Sequence, residues 1–241
     1  MSTHFRIART IPRFVAAAGG STYDSAVSAL SPVADWGMDD TTGTVATAIV
    51  GTNGTYFGGP TLGASVLVND GRAGSVVCNG TDDEVQLPLP TLATAGTLVM
   101  WWRWIDDIHL TSIIWRDDTS AGGTGWFLDV AGGGSGSPAV RVNGTSHTVS
   151  GVTTTSLQTG VRHMFGIATD GTTVRFNIDG TTVDSWSKSA ALSTLVSPLH
   201  LGRNGKVTGT SAYFTSGFDR THIFNTSLSD TNFGDLWNAG K

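Results

Sequence analysis

The 241-residue chain has a formal net charge of −5 and only 14% charged residues, which excludes the basic field that nucleic-acid binding requires. Its 32 glycines predict many short strands joined by tight turns rather than long helices, and its length suits one sandwich-sized domain. No run reaches the ~18 consecutive apolar residues of a membrane span, and the single Cys78, read as a buried small hydrophobe, has no partner for an intramolecular disulfide.

In chain order, residues 1–22 (MSTHFRIARTIPRFVAAAGGST) stand apart as a basic arm, and residues 23–241 are assigned to the folded domain. Arg6, Arg9 and Arg13 suit an acidic partner surface. Phe5 and Phe14, with Ile7, Ile11 and Val15, could bury against it, so the arm is expected to anchor the protein to a partner. TYDSAVSAL (22–30) predicts a short helix before Pro32. Strand-like runs then recur at the spacing of a sandwich: SVVC, EVQL, TLVMWWRW, TSIIWR, GWFLDV, AVRV, HMFGIAT, TVRFNI, TTVDSW, PLHLG and FDRTHIF. In TLVMWWRW one face collects Leu98, Met100, Trp102 and Trp104 as core, while Thr97, Val99, Trp101 and Arg103 occupy the other. The glycine-rich 131–139 stretch reads as a hairpin loop, because no strand-to-helix context follows it. VRHMFGIATDGTTVRFNIDG (161–180) holds two Asp-Gly pairs around alternating residues and predicts a β-meander with tight hairpin turns. At the end, Ser229 is placed as the cap of a short helix with Phe233, Leu236 and Trp237 on one side.

These pieces, in this order, resemble the laminin-G-like, concanavalin A-like jelly-roll family over roughly residues 23–240. The resemblance is carried by SPVADWGMDD, GTNGTYFGG, VVCNGTDDEVQLP, TLVMWWRW, the Asp-Gly meander, PLHLGRNG and GFDRTHIFNTSLSD. Val161 and Cys78 stand where the family tends to have aromatic residues. The resemblance implies an all-β antiparallel sandwich with an N-terminal arm and a short C-terminal helix. It also implies a possible calcium ion, whose candidate ligands by position are Asp40, Asn53 and Asp219, with Asp39 as an alternate. The opening YDSAVSALSPVADW further resembles modules in structural proteins of tailed bacteriophages.

Retaining glycosidases need two carboxyl groups about 5 Å apart, and the glucanases of this fold typically use paired glutamates. Glu84 is the only glutamate, and the Asp-Asp pairs at 39–40, 82–83, 106–107 and 117–118 point to opposite sides of any strand, so no enzyme is expected. The six histidines show neither metal nor triad spacing. Aromatic side chains can stack on sugar rings, and Trp101 beside Arg103 is the candidate for such a groove. The leading expectation is a non-enzymatic virion component, a capsid decoration or minor tail protein. It would be assembled in the host cytoplasm, held to other virion proteins by the arm and able to oligomerise with itself. The alternative is a module that binds host-surface glycan. Neither nucleic acid nor membrane is expected as a partner.

Overall fold

The structure, a computed structural model, describes residues 22–72, 74–92, 94–105, 111–115, 126–130, 138–142, 145–157, 160–187, 198–203, 213 and 215–241. The arm residues Phe5, Arg6, Arg9, Arg13 and Phe14 lie outside the described residues.

Helix α1 (Thr22–Ala29) is followed by β1 (Ala34–Trp36), β2 (Val45–Ala46), β3 (Ala48–Val50), β4 (Gly54–Phe57), β5 (Val76–Asn79), β6 (Glu84–Leu87) and β7 (Gly96–Trp104). Next come β8 (Thr111–Trp115), β9 (Trp126–Val130), β10 (Ala139–Val142), β11 (Thr145–Thr148) and the single-turn α2 (Thr154–Leu157). The chain closes with β12 (Arg162–Thr169), β13 (Thr173–Ile178), β14 (Thr181–Ser187), β15 (Leu199–Leu201), β16 (Thr215–Phe224) and α3 (Asp230–Gly240).

Two antiparallel sheets result. Sheet A runs β14-β13-β12-β7-β16-β1-β3, and sheet B runs β11-β10-β9-β8-β15-β6-β4-β2. β16 organises sheet A. Along one edge it pairs with β7; along the other its first half pairs with β5 and its last residues with β1. The expected sandwich is therefore the observed one. The sequence reading placed no strands over 45–50, where the Gly- and Thr-rich composition conceals the short edge strands β2 and β3.

The meander confirms one tight turn and revises the other. Ile178 pairs with Thr181, so Asp179-Gly180 is a two-residue turn, with both φ angles positive at 53° and 81°. At the first Asp-Gly, Thr169 pairs with Val174, so the connection is longer. There Asp170 Oδ1 accepts from the backbone N–H groups of Thr172 and Thr173, both at 2.8 Å. A single carboxylate organises that loop in place of a two-residue turn.

Two apolar clusters hold the body together. One fills the space between the sheets and includes Trp36, Leu98, Met100, Trp102, Phe165, Phe176 and Phe218, with Tyr56, Val85, Leu87, Leu199 and Leu201 from sheet B. The other lies outside sheet A, where Tyr23 and Val27 of α1, Leu67, Val68 and α3 residues Phe233 and Leu236 close over Val99, Trp101, Met164 and Ala168. Gly166 permits this second layer: a Cβ there would come within 2.2 Å of the Phe233 ring. Helix α3 starts as the sequence predicts, with Ser229 as N-cap in a capping box with Asn232.

Candidate functional site

The outer faces of the two sheets differ in cover. Sheet A carries the α1/α3 layer, whereas the described residues place no second layer on sheet B. Strand alternation determines what sheet B shows outward. Because Tyr56, Val85, Leu87, Leu199 and Leu201 enter the inter-sheet core, Thr55 and Phe57 of β4, Glu84 and Gln86 of β6 and His200 of β15 occupy the opposite face. Register arranges them in rows. Val45, Thr55, Gln86 and His200 follow one another across β2, β4, β6 and β15, and Phe57 stands opposite Glu84 in the next row.

Glu84 is the centre of this face and is 3% exposed. Its Oε1 accepts from Gln86 Nε2 at 2.6 Å, its Oε2 lies 3.2 Å from His200 Nδ1, and Arg203 Nη1 reaches both oxygens at 3.3 and 3.4 Å. Burial works against the charge, but the His200 and Gln86 hydrogen bonds and the Arg203 charge outweigh it and hold the carboxyl below its ordinary range. An ionised, fully engaged carboxylate can orient donors but is unsuited to delivering a proton as a glycosidase acid must. In the neutral imidazole that donates from Nδ1 to Glu84, His200 Nε2 is an acceptor. The Arg203 guanidinium also lies over the Tyr213 ring, 5.3 Å from its centroid. Beside this polar centre, Phe57 is 43% exposed. The arrangement combines an accessible aromatic ring with fixed donors and acceptors, the pairing that recognises an apolar sugar face and its hydroxyls.

Trp101, expected at a groove with Arg103, is instead fully buried. Its Nε1 donates to the Tyr23 hydroxyl at 2.8 Å, and its ring stacks on Trp237 at 5.1 Å. Alternation identified the correct pair of faces, but α1 and α3 cover the face that looked open, so Trp101 has no surface to offer a sugar. Arg103 is half-buried on the same face, opposite Arg162 and Gly217.

The residues proposed for calcium are committed elsewhere. Asp40 accepts from Thr47 N at 3.0 Å, Thr47 Oγ1 at 2.6 Å and the Tyr56 hydroxyl at 2.8 Å. Asn53 Oδ1 accepts from Ala48 N, so Asp40 and Asn53 brace neighbouring backbone amides. Asp219 is buried and accepts from Leu67 N and Val68 N at 2.9 and 3.2 Å. The alternate, Asp39, pairs with Arg72 at 3.1 Å. Calcium needs six to eight oxygens directed at one point. These side chains do not fit that demand, and among the described residues no group of three or more His, Cys, Asp or Glu side chains is arranged to hold a metal.

The family model for the concanavalin A-like lectin/glucanases superfamily matches residues 79–232. The chain belongs to this superfamily. No curated protein matches it. Among solved structures, the binding domain of Paraclostridial Mosquitocidal Protein 1 is similar with a TM-score of 0.64 and 14% identity over 86% of this chain and 52% of that one. The binding domain of botulinum neurotoxin DC, solved in complex with SialylT, gives 0.63 and 12% over 86% and 51%. Domain 4 of AbnA, a GH43 extracellular arabinanase from Geobacillus stearothermophilus in complex with arabinotriose, gives 0.60 and 14% over 85% of this chain and 97% of that one. This superfamily member therefore spans about half the length of the toxin binding domains but nearly all of the arabinanase domain.

The sheet B residues Phe57, Gln86, His200 and Arg203 were absent from the sequence reading, and Glu84 entered it only as a glutamate without a catalytic partner. They lie up to 146 positions apart, from 57 to 203, and no local pattern links them. The PLHLG run, with His200 between inward-facing leucines, is the nearest local signal.

Proposed function

We propose that the chain is a non-catalytic carbohydrate-binding module whose sugar surface is the outer face of sheet B around Phe57, Glu84, Gln86, His200 and Arg203. The observation that carries this reading is the exposed Phe57 ring beside the Glu84 cluster, on a face over which the described residues place no second layer. The arabinanase domain, similar over nearly its whole length, supports it because that domain was solved with an oligosaccharide. A glycan array on the full chain, followed by calorimetric titration of the best ligand, tests it. Phe57→Ala and Arg203→Ala should each weaken binding by about 10-fold or more; the melting temperature should stay near wild type for Phe57→Ala and fall for Arg203→Ala, which leaves the buried Glu84 without its guanidinium. Unchanged affinity in both variants would remove sheet B from consideration.

The virion placement is the finer part of the proposal. The basic segment 1–22 would attach the module to acidic surfaces of other virion proteins, displaying it as a decoration or minor tail protein that meets host glycan. Deleting residues 1–21, which leaves α1 whole, should keep a cooperative melt yet abolish incorporation into particles. Incorporation at full copy number would refute the anchoring role.

A further inference from the structure

Calcium, implied by the superfamily resemblance, does not fit the residues expected to hold it, and the structure shows what stands among the nearby carboxylates. β16 changes pairing partner between Phe218, opposite β5, and Thr221, opposite β1. On its other edge the register with β7 slips between Asp219 and Thr221, leaving Arg220 as the extra residue of a bulge with φ of 39°. Asp219 stands opposite Trp101, and the Arg220 guanidinium lies 5.7 Å from the Tyr23 ring centroid, so both side chains enter the layer outside sheet A.

The Arg220 side chain is fully buried there. Its Nε donates to Asp70 Oδ2 at 2.5 Å and its Nη2 to Asp24. Arg72 extends the network, with Nη2 3.6 Å from Asp24 and Nη1 3.1 Å from Asp39, while its own N–H donates to Asp70 Oδ1 at 2.9 Å. Asp35 lies 2.9 Å from His222 Nδ1 without the alignment of a hydrogen bond. Thus α1 through Asp24, the segment ahead of β5 through Asp70 and Arg72, and β16 meet at one guanidinium. The position carries two costs, a left-handed backbone at a long side chain and an Nη1 without a hydrogen-bond acceptor. Burial pulls the guanidinium towards losing its proton, but Asp70 and Asp24 outweigh it and keep it charged.

We propose that Arg220 is the resident cation of this carboxylate cluster, joining α1, the loop before β5 and β16 in place of a metal. The inference is independent of the sugar face.

The test uses the full chain, with melting temperatures in millimolar calcium chloride and in EDTA. Wild type and Arg220→Lys, which keeps the charge, should melt at the same temperature in both. Arg220→Ala should melt lower by roughly 5 °C or more, and calcium should not restore it. If Arg220→Ala does not fold, Arg220→Gln carries the same arm with the side-chain volume kept. A wild-type melt that falls in EDTA and recovers with calcium would overturn the proposal, as would a folded Arg220→Ala that melts at the wild-type temperature. Terbium emission gives a second readout. It should be absent at this cluster in wild type. Calcium-displaceable emission in wild type that is lost on Asp70→Asn would also overturn it.

Discussion

Asp219→Asn should flatten the dependence of stability on pH. Burial, reinforced by the negative charge of Asp70, pushes the Asp219 carboxyl up to about 7 against the Leu67 and Val68 amides and the Arg220 charge. Its ordinary value is 3.8, so the folded protein holds this proton more tightly than the unfolded chain does. The stabilisation it contributes is fully present below pH 3.8 and is lost as pH rises through about 7. A difference of about three units corresponds to about 4 kcal/mol over the whole range, of which about 2 kcal/mol falls between pH 5 and 7. Asp35, Glu84 and Asp170 are held below their ordinary values and act with the opposite sign, but their contribution changes only below about pH 5. Urea unfolding of wild type and Asp219→Asn at half-unit steps from pH 5 to 8 isolates the effect as a difference. Wild type should lose about 2–3 kcal/mol relative to the variant across that range. Parallel curves would show that Asp219 titrates normally and that the two amides already offset its burial.

Other outcomes follow from packing. Gly166→Ala places a methyl group against the Phe233 ring and should destabilise by about 1–3 kcal/mol in urea, because α3 must shift outward. Trp101→Ala should cost about 3–5 kcal/mol and leave intrinsic sugar affinity unchanged once the fraction folded is accounted for, since the ring is buried under the helices. Ser229→Ala removes the capping box of α3 and should cost about 1 kcal/mol, read as a lower melting temperature.

The inter-sheet core was legible because its signals are local. Leu98, Met100, Trp102 and Trp104 alternate within one strand, and Asp179-Gly180 forms its turn within two residues. The outer layer was not legible, because the burial of Thr97, Val99 and Trp101 depends on helices from the two ends of the described chain closing over β7. Nothing in a strand's own pattern separates a face open to solvent from one under a helix. The Glu84 cluster was hidden for a related reason. Register brings β4, β6 and β15 together, and only the pairing of Thr55 with Gln86 and of Gln86 with His200, 145 positions beyond Thr55, makes a row of them. Asp219 was picked out as an oxygen ligand, whereas its carboxyl accepts from the Leu67 and Val68 amides. The bulge that turns its neighbour Arg220 into the same layer has no local signature beyond the Asp-Arg pair itself.

The layer outside sheet A also brings α1 and the end of α3 together. Thr22 Oγ1 donates to the Ala239 carbonyl at 3.4 Å, and Asn69 N donates to the Gly240 carbonyl at 2.8 Å. The entry and exit of the folded body are therefore neighbours on the side away from sheet B. Such a body can be hung from one point, or inserted into a loop of another protein, with little separation demanded of the host chain. A circular permutant joining 241 to 22 through a few glycines and reopened in the 131–137 stretch should keep the fold. Tethered by that seam, the module would turn its Phe57 face outward whichever end carried the connection.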